Sequence, residues 1–128
     1  MATLREHDKR EQQGFTLIEI IAVLVILGIL AVVAVPKYFD MQDQARKKAA
    51  EGLVSSAQSQ LSLGYANSKI NAAYGVLDPV AECGKVALSG TGSEIPTLSC
   101  TADDPSVITA KVGAQTATGY WNNPDAGN

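Results

Sequence analysis

Histidine occurs once in this 128-residue sequence, at residue 7 in a polar stretch, and no nucleophile stands at a recognisable spacing from a base. Nor does a glycine-rich loop open a helix to cradle phosphate. Catalysis is therefore not expected, and no cofactor is implied. Basic residues are in deficit: ten Lys and Arg against thirteen Asp and Glu give a formal net charge of -3. A nucleic-acid partner would normally meet a basic face, so none is expected. Cysteine appears only as Cys83 and Cys100, without metal-ligand spacing, and no metal site is expected. Aromatics make up only 5% of the chain, and Tyr38, Phe39, Tyr65, Tyr74, Tyr120 and Trp121 read as packing residues.

Against these shortages stands one long apolar run. From Phe15 to Val35 the only polar side chains are Thr16 and Glu19. About twenty such residues cross a bilayer core as a helix. A soluble helix would keep one polar face, and this run has none. Glu19 is the anomaly, because a carboxylate left in hydrocarbon costs at least about 2.5 kcal/mol. Residues Met1 to Gln13 are polar and charged, and Gly14, the candidate cleavage residue, precedes the apolar run, so the helix would survive removal of residues 1–14. An ordinary signal anchor is the competing reading. The positive-inside rule does not orient the helix, since Arg5, Lys9 and Arg10 stand before it and Lys37 and Arg46-Lys47-Lys48 after it. The cysteines point the carboxyl-terminal part out of the cytoplasm, because a disulfide persists in an oxidising compartment.

Within the run, Gly28 weakens the helix by about 1 kcal/mol relative to Ala and Pro36 by about 3 kcal/mol. Residues 15–36 therefore form an apolar helix half with a weak link between those two positions. Residues 37–68 are expected to continue as an amphipathic half, with helix to about Ala66 and an apolar stripe through Met41, Ala45, Ala49, Leu53, Ala57 and Leu61, joined by Val54 and Tyr65. Its polar face allows i,i+4 pairs of Lys47 with Asp43 and Glu51. From 69 to 128, turn residues separate short β-prone runs at Lys85–Ser89, Thr97–Thr101, Val107–Val112 and Gln115–Trp121, which predicts a small antiparallel sheet covered by the helix stripe. A Cys83–Cys100 bridge would contribute about 3 kcal/mol to so small a head. The expected fold class is α+β: a lollipop with one long helix and a small β-rich head.

The junction Gly14-Phe15-Thr16-Leu17-Ile18-Glu19, with the apolar run, Gly28 and Pro36, resembles the amino-terminal signature of type IV pilins and pseudopilins. The continuation Pro36-Lys37-Tyr38-Phe39-Asp40-Met41-Gln42-Asp43-Gln44-Ala45-Arg46 is most similar to pilins of the mannose-sensitive haemagglutinin kind. The resemblance implies cleavage between Gly14 and Phe15 by a prepilin peptidase and methylation of the Phe15 amine. It further implies insertion in inner-membrane lipid with the head in the periplasm, then assembly by the pilus machinery into a helical homopolymer outside the cell. In such filaments Glu19 pairs with the Phe15 amine of a neighbouring subunit; pairing within its own chain is the alternative that the residues alone leave open. Resembling pilins are also partly unwound near Gly28 to Pro36 when assembled. A pseudopilin of type II secretion is the nearest rival role, in which Asp103, Asp104 and Asp125 would be weak calcium ligands, and a non-polymerising membrane-anchored binding domain is a third. The bridge resembles the disulfide-bounded region of many pilins, though their second cysteine often lies nearer the chain end.

Overall fold

The computed structural model describes Gly14 and the residues from Thr16 to Gly127. The expected leader and the Phe15 end of the cleavage site lie outside these, apart from Gly14. The element order is helix α1 (Leu17–Ile70), a 3-10 turn at Ala72–Tyr74, helix α2 (Pro79–Cys83), a second 3-10 turn at Gly92–Glu94, and strands β1 (Thr97–Cys100), β2 (Ser106–Val112) and β3 (Gln115–Trp121). One long helix, a three-stranded antiparallel sheet and one disulfide make the α+β class expected. By packing the chain divides into two compact units, one up to Asp40 and one from Met41.

The first unit holds the apolar part of α1. Every described residue from Leu17 to Phe39 is exposed, including all the leucines, isoleucines and valines. The helix is long and apolar enough to cross a membrane, with an 18-residue window of mean hydropathy 3.1. In hydrocarbon each backbone group needs a partner inside the chain, and a helix supplies it. The helix continues through Pro36, which removes one backbone donor from the ladder.

In the second unit, α1 buries Ala50, Val54, Ala57, Leu61 and Gly64. Val54, Ala57 and Leu61 of the expected stripe are buried and Leu53 and Tyr65 pack beside them, but the beginning of the stripe is corrected. Steps of four residues turn the helix by more than a full circle each time, so a row from Met41 through Ala45 and Ala49 drifts out of the packed face. Those three are exposed, and alternating steps of four and three hold the contact line instead. Ion pairs on the polar face are also spaced differently: Arg46 with Asp43 and Lys48 with Glu51, each three residues apart, in place of the pairs expected of Lys47. The helix ends at Ile70, beyond Ala66.

The sheet runs in the order β1-β2-β3, with Cys100 opposite Ile108 and Ile108 opposite Gly119. A two-residue turn closes the β2–β3 hairpin between Val112 and Gln115. Gly113, at φ 57°, takes its first central position, the place where a type II′ turn requires glycine. Ser106, Ile108, Ala110 and Trp121 face the core, while Thr116, Thr118 and Tyr120 face outward. At Gly119 a Cβ would overlap Val54 of α1, so the absent side chain sets how closely helix and sheet approach. Trp121 donates from Nε1 to Ser62 Oγ at 3.1 Å, and Gln58 Nε2 donates to the Tyr120 carbonyl at 2.9 Å.

Lys85–Ser89 does not form the expected strand. The backbone N–H of Val86 bonds the Cys83 carbonyl, continuing the last turn of α2, and Lys85 pairs with Glu82. Local helix-end bonding thus takes the residues that β-propensity would place in a ladder. The preceding α2 begins where Asp78 Oδ1 accepts from the N–H of Val80 and Ala81, with Pro79 at the first helical position.

Candidate functional site

The carboxylate in the apolar run sits at the very start of α1. Thr16 N–H donates to Glu19 Oε2 at 3.2 Å, and Glu19 N–H donates to Thr16 Oγ1 at 3.4 Å. These reciprocal bonds form a capping box: threonine before the first turn, glutamate three residues on, each satisfying a backbone donor that the helix leaves open. The pairing expected for Glu19 does not include this use, for which the Thr-x-x-Glu spacing is the sequence signal. A carboxylate in the first turn also lies favourably at the positive end of the helix dipole. Both residues are exposed, so the carboxylate's remaining acceptor sites are open to a further donor.

Gly28 has no atom within 4 Å of where a Cβ would stand, and it leaves a shallow notch on an otherwise apolar rod. Pro36 lies further along. An isolated helix with no polar side is unstable in water and can bury its surface only in lipid or against other such helices.

In the second unit a second carboxylate is buried outright. Glu82 is 3% exposed and packs where Gly64 of α1 has no side chain; a Cβ there would lie 2.7 Å from Glu82 Cδ. Its Oε2 accepts from Gln60 Nε2 at 2.9 Å, and its Oε1 accepts from the Tyr74 hydroxyl and from Lys85 Nζ. Burial pushes the Glu82 carboxyl up, but these donors outweigh it and hold it below its ordinary value. Lys85 is raised in turn, chiefly by its hydrogen bond to Glu82. The network ties α2 and the Ala72–Tyr74 turn to α1.

Of the three loop aspartates, Asp125 and Asp104 use their carboxylates in internal contacts, whereas Asp103 contributes its backbone carbonyl and its side chain is exposed. Asp125 accepts from the Tyr65 hydroxyl at 3.0 Å and pairs with Lys69, whose hydrogen bond lowers the Asp125 carboxyl below its ordinary value. Asp104 Oδ1 accepts from Asn123 N–H at 3.1 Å, and the Asp103 carbonyl accepts from Ser106. Among the described residues no group of three or more His, Cys, Asp or Glu could hold a metal ion. Cys83 and Cys100 are bridged, with Cα atoms 6.2 Å apart, joining the end of α2 to the end of β1.

Comparison with known proteins decides what the capped apolar helix belongs to. Residues 9–35 match the family model of the prokaryotic N-terminal methylation motif. The chain is 46% identical over 55 residues to type II secretion system core protein G of Pseudomonas aeruginosa, covering 43% of this chain and 39% of that protein. It is 37% identical over 57 residues to the type IV narrow pilus major component of Thermus thermophilus, covering 44% and 49%. It is 39% identical over 74 residues to a type IV major pilin protein of Neisseria gonorrhoeae, covering 56% and 35%.

The amino-terminal region of the chain is type IV pilin-like.

The matched stretch spans between 35% and 49% of the length of these relatives, so the likeness belongs to the amino-terminal region. No solved structure matches the chain significantly. These relatives divide between pili and type II secretion, and the likeness does not distinguish the two.

Proposed function

We propose that this chain is the major structural subunit of a type IV pilus, polymerising through the apolar part of α1 into a surface filament. The observation that carries this reading is the complete exposure of that helix from Leu17 onward, with its one carboxylate set at the capped end. Hydrocarbon covers such a surface before assembly, and neighbouring copies cover it afterwards. Cleavage between Gly14 and Phe15 by a prepilin peptidase removes the charged leader, and the new Phe15 amine, after methylation, is a donor for the open side of Glu19 on an adjacent subunit. In the apolar interior each charge relieves the desolvation of the other. The precursor resides in the inner membrane with its head in the periplasm, where the Cys83–Cys100 bridge forms. Its role is structural, with the pilus assembly machinery as partner, and adhesion and motility are the activities such a filament serves. Between Gly28 and Pro36 the helix loses backbone bonds on assembly, which lets the filament stretch.

Shearing of surface material from cells that make the chain tests this directly. Long filaments containing it, with Phe15 as the first residue by mass spectrometry, are expected. Residues 1–14 retained in assembled material would overturn the processing step, and a filament reconstruction with unbroken helix through Pro36 would overturn the stretch. The identity to a type II secretion core protein favours a second reading, a pseudopilin. Its signature would be loss of protein secretion on deletion, with no long filaments in sheared material.

A further inference from the structure

Lys37, Tyr38 and Phe39 follow Pro36 directly and close the apolar segment. Tyr38 is 61% exposed and Phe39 59%, with their rings edge to face at 6.4 Å. Consecutive residues on a helix project about 100° apart, so these three point in three directions around it. A protein neighbour packs against one face. A headgroup layer surrounds a helix on all sides, and its chemistry suits this set: aromatic rings favour the membrane–water boundary, and an ammonium complements lipid phosphate.

Spacing supplies a second argument. From Leu17 to Pro36 the helix advances about 30 Å, the thickness of a bilayer's hydrocarbon core. With Tyr38 at one boundary, Glu19 lies about 28 Å away along the axis, at the opposite boundary.

Resting on the membrane-resident precursor proposed above, we propose that Lys37, Tyr38 and Phe39 form an interfacial belt seated among phospholipid headgroups. The belt fixes the depth of the helix so that the Thr16–Glu19 box lies in the headgroup layer of the other leaflet. Glu19 then stays hydrated in the bilayer and enters an apolar setting only on joining a filament.

The test is depth-dependent quenching with the full chain in phosphatidylcholine–phosphatidylglycerol vesicles that carry bromine either near the glycerol or at the acyl-chain ends. Tryptophan is introduced by Tyr38→Trp, Ile20→Trp or Leu27→Trp, and the Trp121 signal is subtracted using the wild type in the same vesicles. Tyr38→Trp and Ile20→Trp should each be quenched at least about twofold more by the shallow bromines, and Leu27→Trp by the deep ones. If the chain floats with the vesicles yet Tyr38→Trp is quenched mainly by chain-end bromines, or by neither set, the belt is refuted while the membrane reading stands. Failure to float at all would overturn the membrane reading and the belt with it.

Discussion

Gly64→Ala sets two effects of opposite sign against each other. In an exposed helix interior, alanine in place of glycine stabilises by about 1 kcal/mol. At Gly64 the new Cβ would stand 2.7 Å from Cδ, 2.8 Å from Cγ and 2.9 Å from Oε2 of Glu82. A carboxylate at the end of a flexible side chain could swing aside, but this one is buried and bonded to Gln60, Tyr74 and Lys85. Displacing it loosens charged hydrogen bonds contributing about 1.5–3 kcal/mol each, and a strained fit adds about 1–3 kcal/mol. Loss of even one such bond, with modest strain, outweighs the propensity gain. The net expectation is a loss of about 2 kcal/mol, or about 10 °C in Tm for a unit of this size. Gly52→Ala is the control, since it lies on the same helix with nothing within 4 Å of its Cβ position, and it should raise Tm. Thermal melts of the full chain in detergent, followed by circular dichroism, read both. If Gly64→Ala melts at or above the wild type, the claim that the glycine exists to admit Glu82 is wrong.

Gly119→Ala should likewise lower Tm, and adding Val54→Ala should recover part of the loss, because the clash is between those two positions. Cys83→Ser should cost about 2–5 kcal/mol, and alkylation of the wild type without reductant should find no free thiol. Acid should weaken the second unit: Glu82 and Asp125 both have folded carboxyls below their ordinary values, so their stabilisation is present above the unfolded pKa and is lost as pH falls through the folded one. A Tm that falls on acidification, with a shallower fall in Asp125→Asn, is the expected titration.

Much of this architecture was legible because single residues forced it. A run with two polar side chains in it admits only a lipid-facing or fully packed helix, and glycine, proline and aspartate punctuation located β2 and β3 almost to the residue. What the sequence hid depends on tertiary competition. Lys85–Ser89 reads as a short β-prone run between Gly84 and Gly90, but the end of α2 and the Glu82 carboxylate claim its first residues. The stripe on α1 is legible from Leu53 onward, but not where it begins, because Ala49 and Ala50 are chemically alike and packing decides which of them is buried. Glu82 itself carries no signal in the sequence, since its burial requires Gly64, Gln60 and Tyr74 to converge from separate segments. The role of Thr16 is legible in its spacing of three from Glu19, the signature of a capping box.

The capping box has a consequence for timing. Its two members both lie after Gly14, so the helix is terminated by residues that remain when everything before Phe15 is gone. Trimming therefore asks nothing of the rod's own conformation. On the processing and assembly proposed above, a pool of trimmed subunits would wait in the bilayer with this helix start, and filament growth would draw on that reservoir at a rate uncoupled from the rate of trimming.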